Sequence, residues 1–218
     1  LSERSKKNIK FIIIHYTGMK KESNAIKKLC DSRSNVSAHF FIKKNGNILN
    51  LVPASYVAWH AGKSCWKKYK SLNRYSIGVE ISNSGHDHGY EKFSSSQLSS
   101  LIKLLKKLTK EFHIEKKNIL GHSDIAPNRK KDPGEKFPWK ILAKKGLSYW
   151  HNLNEKKIKI YRNNKISPIE EKEFLRNLNK IGYCRPKKGN LRKNNNYLIK
   201  SFQRRFRQDL TNGKFDKE

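Results

Sequence analysis

No unbroken apolar run in this 218-residue chain is longer than Phe11-Ile12-Ile13-Ile14, which ends at His15. A run so short and so rich in β-branched residues reads as a buried strand over Lys10 to Thr17. It falls far below the ~18 apolar residues of a membrane span, and nothing else in the sequence comes closer.

Further elements follow from spacing. Glu22 to Cys30 is a short helical stretch, and Ala38 to Val52 holds two strands around Asn45-Gly46, a strong hairpin signal. Tyr75 to Ser82 alternates, with Ile77, Val79 and Ile81 on one face and Gly78, Glu80 and Ser82 on the other. Ser94 and Gln97 stand at capping-box spacing and open an amphipathic helix through Leu98, Leu101, Ile102, Leu105, Leu108 and Phe112. Asn118 to Gly121 is another short strand, followed by a Pro/Gly-punctuated loop to Gly134 and a helix from Pro138 to Lys145. This mixture points to an α/β domain over residues 1–150. Residues 151–166 are polar and weakly periodic, and read as a linker. From Pro168 the pattern turns helical, through Phe174, Leu175, Leu178 and Ile181 and then Leu198, Ile199, Phe202 and Phe206, a small helical unit over 167–218.

Lys and Arg number 49 against 18 Asp and Glu, a formal charge of +31. Hydrophobic residues at 35% and aromatics at 11% suffice for a core, which excludes a wholly disordered chain. The charge suggests a polyanionic partner: nucleic acid, an anionic membrane surface or a carboxylate-bearing wall polymer. It is spread along the chain rather than gathered on one helix or stripe, which favours general attraction to anions over a specific nucleic-acid footprint. Cys30, Cys65 and Cys184 are odd in number, widely separated and without CxxC spacing, which by this reading rules out a disulfide framework and a thiolate zinc finger. The chain opens at Leu1, without Met or an apolar signal core, as it would if an upstream segment had been removed.

Two imidazoles and a carboxylate stand where chemistry could sit. His15 closes the first strand, His122 follows the Asn118–Gly121 strand, and Asp132 lies ten residues further on, before Pro133-Gly134. They would make a three-ligand set for a catalytic zinc ion with a fourth position left for water, although spacing alone does not force it and one strand-end His is more often structural. Glu80 is a lone carboxylate in a strand and must face solvent, a partner or a site. Lys130, two residues before Asp132, would by itself pass for one more solvated lysine. His39 reads as a packed or hydrogen-bonded histidine, and His86-Asp87-His88 as the cap of a polar loop rather than a second metal site.

Taken together, the segments Ile14-His15-Tyr16-Thr17, Val36-Ser37-Ala38-His39-Phe40, Trp59-His60-Ala61-Gly62, Ser76-Ile77-Gly78-Val79-Glu80, Gly121-His122-Ser123-Asp124-Ile125-Ala126-Pro127 and Arg129-Lys130-Lys131-Asp132-Pro133-Gly134 resemble the type 2 N-acetylmuramoyl-L-alanine amidases over about residues 8–146. That family shares its fold with phage lysozyme-like amidases and animal peptidoglycan recognition proteins. The resemblance implies a mixed central β-sheet flanked by helices and a Zn²⁺ cofactor held by His15, His122 and Asp132. It implies Glu80 as the acid/base group and Lys130 as the group that stabilises the oxyanion. It implies Arg129 as a partner for a stem-peptide carboxylate and His60 as a cleft residue, both binding substrate. The bond cut would be the amide between N-acetylmuramic acid, intact or in 1,6-anhydro form, and L-alanine of the stem peptide. The C-terminal stretch resembles a three-helix peptidoglycan-binding module, apart from a very basic connecting loop from Lys187 to Asn196.

The rival readings are a non-catalytic peptidoglycan binder and a nucleic-acid protein, the latter motivated only by charge. The partners expected are peptidoglycan or muropeptides, with no specific nucleic acid, with a membrane only through an upstream anchor, and with the chain monomeric. The expected location is the periplasm or cell envelope, with cytoplasmic recycling as the alternative.

Overall fold

A strand that is apolar on both faces needs cover on both faces, and that requirement organises the molecule. The computed structural model describes residues 2–162, 164–185 and 191–218. In chain order the elements are β1 (Phe11–Tyr16), α1 (Glu22–Cys30), β2 (Phe40–Ile42), β3 (Ile48–Asn50), a ribbon of β4 (Cys65–Trp66) and β5 (Tyr69–Lys70), then β6 (Ser76–Ile81), α2 (Ser95–Phe112) and β7 (Ile119–Gly121). They continue with α3 (His122–Ile125), α4 (Trp139–Lys144), α5 (Glu155–Arg162), α6 (Pro168–Ile181) and α7 (Leu191–Phe206).

The main sheet has the order β3-β2-β6-β1-β7. Strands β2, β6, β1 and β7 run parallel, and β3 returns antiparallel to β2 through the Asn45-Gly46 turn, where Gly46 has a φ of +90°. The mixed α/β architecture expected from the sequence is therefore the one found. Ile12 and Ile14 face a layer built by α2 and α4, packing with Leu101, Leu105, Leu108 and Leu142. Helix α2 starts where expected: Gln97 N donates to Ser94 Oγ and Ser94 N to Gln97 Oε1.

The other face of β1 carries Phe11 and Ile13. They pack with Trp66, Leu72, Leu120 and Ile125 and also with Leu175, Leu178, Tyr183 and Leu198 of the C-terminal region. The helices beyond residue 167 thus form part of the sheet's second covering layer, rather than a bead on a tether. Polar contacts fix the junction. Arg205 donates to Asp124 Oδ2 (2.7 Å), to the Ile119 carbonyl (3.0 Å) and to Ser148 Oγ (3.2 Å), and its guanidinium lies 4.1 Å from the centre of the Trp139 ring. Tyr183 donates to Asp124 Oδ1 (2.6 Å) and Ser201 to the Ser123 carbonyl (2.7 Å).

Three expectations need correction. The stretch 151–166, read as a polar linker, contains the helix α5, whose Arg162 pairs with Asp209 and Glu218. Its apolar positions are too few to show in a periodicity reading, because it is held by charge pairing with the chain's end. The basic loop from Lys187 to Asn196 lies in part (187–190) outside the described residues, and from Leu191 the chain is already helical. The cysteines do form a bridge: Cys65 and Cys184, 119 residues apart, are joined, and Cys30 is free. Sequence separation hid this pair, because β4 and the end of α6 become neighbours only when Tyr183 docks on Trp66.

Replacing Arg205 by Leu would strand the buried Asp124 carboxylate, and we expect a loss of about 3–5 kcal/mol in urea unfolding. An unchanged midpoint would mean that the Arg205–Asp124 pair contributes nothing to stability.

Candidate active site

Parallel strands bring their carboxyl ends to one edge of the sheet, and side chains leaving that edge share a crevice. Register decides which ones. His15 of β1 lies opposite Glu80 of β6, and Ile14 lies opposite Gly121 of β7, so the next residue, His122, opens α3 beside His15. The loop after α3 turns back at once. The Ala126 carbonyl accepts from both Arg129 N (3.0 Å) and Lys130 N (2.9 Å), and Ser123 N donates to the Asp132 carbonyl (2.8 Å). That turn carries Asp132 to the two histidines.

The three predicted ligands converge. His15 Nδ1 and His122 Nδ1 each lie 3.0 Å from Asp132 Oδ2, and 2.9 Å from one another. All three side chains are buried, and this is the set of ligand-type groups, among the described residues, that could hold a metal ion. The spacing is close to the ~3.3 Å expected between nitrogen and oxygen ligands of a tetrahedral ion bound at about 2.0–2.1 Å, and the imidazole and carboxylate donors suit zinc. Burial, aided by the facing His122, lowers His15 to about 4, so its imidazole is neutral and free to ligate. Burial alone would raise the Asp132 carboxyl, but His122 and His15 hold it well below the usual carboxylate range.

Glu80 and Lys130 line the same cavity, of about 370 Å³, together with His60, Trp59, Arg129 and the three ligand candidates. Glu80 Oε2 is buried without a hydrogen-bond partner among the described residues. Burial, reinforced by the charge on Asp132 and opposed by Lys130, pushes its carboxyl well above the ordinary value. A carboxyl poised in this way can hold a proton near neutral pH and give it up to a reacting atom.

The other singled-out residues separate by surroundings. His60 lines the cleft but is largely buried, with its Nδ1 3.0 Å from His15 Nε2. Arg129 sits exposed on the rim, with Nη2 donating to the carbonyls of Ala61 (2.8 Å) and Lys63 (2.9 Å). His39 is packed, as expected, against Arg4 (2.7 Å), the Tyr56 carbonyl (3.1 Å) and Gly78 N (3.0 Å). His86 meets the Tyr16 hydroxyl (2.8 Å) and Glu135 (3.1 Å), in a short helical turn apart from the ligand set. Two features escaped the sequence reading: the Ala61 carbonyl, which accepts from His122 Nε2 (3.1 Å), and the Arg4 brace on His39. The first is backbone and has no residue signature. The second lies 35 residues from its partner.

Residues 5–135 match the family model described as N-acetylmuramoyl-L-alanine amidase, well over half of the chain. The chain belongs to the N-acetylmuramoyl-L-alanine amidase family. It is 34% identical over 222 aligned residues to the N-acetylmuramoyl-L-alanine amidase AmiD of Escherichia coli (strain K12), spanning 96% of this chain and 79% of that protein. Among solved structures, it matches AmiD from E. coli in complex with anhydro-N-acetylmuramic acid-L-Ala-D-gamma-Glu-L-Lys, with a TM-score of 0.83 at 32% identity over 96% of this chain and 84% of that one. It matches AMPDH3 from Pseudomonas aeruginosa in complex with an anhydromuramic pentapeptide equally well, with a TM-score of 0.83 at 29% identity over 96% and 87%. Both alignments cover 96% of this chain, so they run through its C-terminal helices as well as its sheet.

His39 provides a pH signature of the amidase fold. Burial, and then the nearby Arg4 charge, lower it to about 3. Between pH 6.5 and about 3 the unfolded chain therefore takes up a proton there that the folded chain refuses. We expect stability to fall with falling pH across that window, by about 1.4 kcal/mol for each tenfold difference in proton affinity. Urea titrations at pH 7 and pH 5 should show a shallower decline in His39→Gln than in the parent chain.

Proposed function

We propose that this amidase is zinc-dependent and cuts the amide between N-acetylmuramic acid, including its 1,6-anhydro form, and L-alanine of the stem peptide. The observation that carries the reading is the convergence of His15, His122 and Asp132 within 3.0 Å of one another, beside Glu80, whose buried Oε2 has no hydrogen-bond partner among the described residues. The muropeptide complexes of the related amidases support the substrate class.

When bound by His15, His122 and Asp132, zinc supplies Lewis acidity, polarising a carbonyl and acidifying a water. The chain's own residues do the remainder. Glu80 takes the proton of the attacking water and passes it to the departing amine, a role that its raised proton affinity suits. Lys130, on the same cavity wall, balances the negative charge that grows on the carbonyl oxygen. Arg129 and the exposed Trp59 on the rim offer a guanidinium and a flat ring to the stem peptide and the sugar. His60, though in the cleft wall, has both ring nitrogens engaged, by His15 and by Ser76, and so acts on His15 rather than on substrate.

The compartment we propose is the periplasm or cell envelope, with the amidase acting as a monomer. The Cys65–Cys184 bridge supports an oxidising setting over cytoplasmic recycling, since intracellular thiols are kept reduced.

Mass spectrometry of an anhydro-muropeptide incubated with the protein tests the reading. Free stem peptide should appear, stop on chelation and return with Zn²⁺. Glu80→Gln should lower kcat by about 10²–10⁴ and Lys130→Ala by about 10²–10³. Intact muropeptide with the zinc-loaded parent, or full activity in the chelated protein, would overturn it.

A further inference from the structure

We infer that His60 is a positioning residue that fixes the tautomer of His15, and that His60-Ala61 acts as a template presenting both histidine Nδ1 atoms, as lone pairs, to a cation. The inference rests on the zinc reading above and deepens it.

The argument is a count of hydrogens. The Ser76 hydroxyl has one hydrogen, and it goes to the Leu72 carbonyl at 2.7 Å. Toward His60 Nε2, 3.2 Å away, Ser76 Oγ can then only accept, so Nε2 carries the proton. His60 Nδ1 is consequently a lone pair, and His15 Nε2, 3.0 Å away, must donate to it. His15 is left with its lone pair on Nδ1, facing Asp132 and His122. The second ring is set by the next residue: His122 Nε2 donates to the Ala61 carbonyl at 3.1 Å, which again leaves Nδ1 as the lone pair.

Both residues of the template are held in place. Asn73 Oδ1 accepts from His60 N (3.2 Å) and Ala61 N (2.7 Å), so one side chain clamps the pair. The His60 ring lies against Gly78 of β6, where any Cβ would overlap it. A glycine inside a strand ordinarily weakens it, and here it makes room for the ring. The outcome is three acceptors, two imidazole nitrogens and a carboxylate oxygen, converging at 2.9–3.0 Å with no hydrogen left to place between them. A cation satisfies that arrangement. Partners of this kind behind metal-ligating histidines are worth about 10–100-fold in metal affinity.

The test is zinc affinity, measured on the purified chain by competition with a fluorescent chelator, with circular dichroism to verify folding. His60→Leu removes the acceptor and should weaken zinc binding by about 10–100-fold. His60→Asn sets a carbonyl oxygen at about the position of Nδ1 and should restore most of the loss, which a purely packing role for the ring would not allow. Ser76→Ala removes the group that pins the His60 proton while leaving a side chain small enough to fold. It should weaken zinc binding measurably, and it decides the matter if His60→Leu does not fold. Folded His60→Leu or Ser76→Ala protein with parental zinc affinity would overturn the inference, as would His60→Asn no better than His60→Leu. Failure of the parent chain itself to bind zinc would instead overturn the zinc reading.

Discussion

The parallel pairing of β1 with β6 on one side and β7 on the other places His15, Glu80 and His122 at one edge of the sheet, because each stands at or just beyond the carboxyl end of its strand. A slip of one residue in either pairing would turn His15 to the opposite face from its partners, since side chains alternate along a strand. The register is secured by burial: Ile12, Ile14, Ile77 and Val79 fill one core, and Phe11, Ile13 and Leu120 fill the other. The geometry of the cleft is thus bought by apolar side chains that never touch substrate.

Much of this was legible in the chain itself. The apolar run before His15, the alternation around Glu80, the capping box at Ser94 and the Asn45-Gly46 turn are local signals, and each marks an element found in the fold. The ligand candidates were legible as residue types at strand ends, and the ordered motifs singled out which histidines to bring together. What stayed hidden was non-local. The Cys65–Cys184 bridge, the Arg205–Asp124 pair and the Arg4 brace on His39 join residues that share no motif or period. Helix α5 was missed for a different reason: its apolar stripe is too thin to reveal a period.

The role of His60 shows how surroundings refine a resemblance. A histidine in a cleft motif suggests contact with substrate, yet this ring is spent on hydrogen bonds to His15 and Ser76. Its tautomer is dictated by a serine hydroxyl and a main-chain carbonyl, neither of which has a recognisable spacing from it in the sequence.

The docking of the C-terminal helices redraws the boundary of the catalytic unit. Among the described residues, every side chain that lines the cleft belongs to the first 132. Even so, Ser123 and Asp124, the residues directly after His122, are held by Ser201, Tyr183 and Arg205. A chain cut after residue 150 would keep the entire chemical apparatus yet expose Phe11 and Ile13 to water and leave the Asp124 carboxylate without its cation. The C-terminal helices thus brace α3, which carries His122, from behind while giving no side chain to the described lining of the cleft.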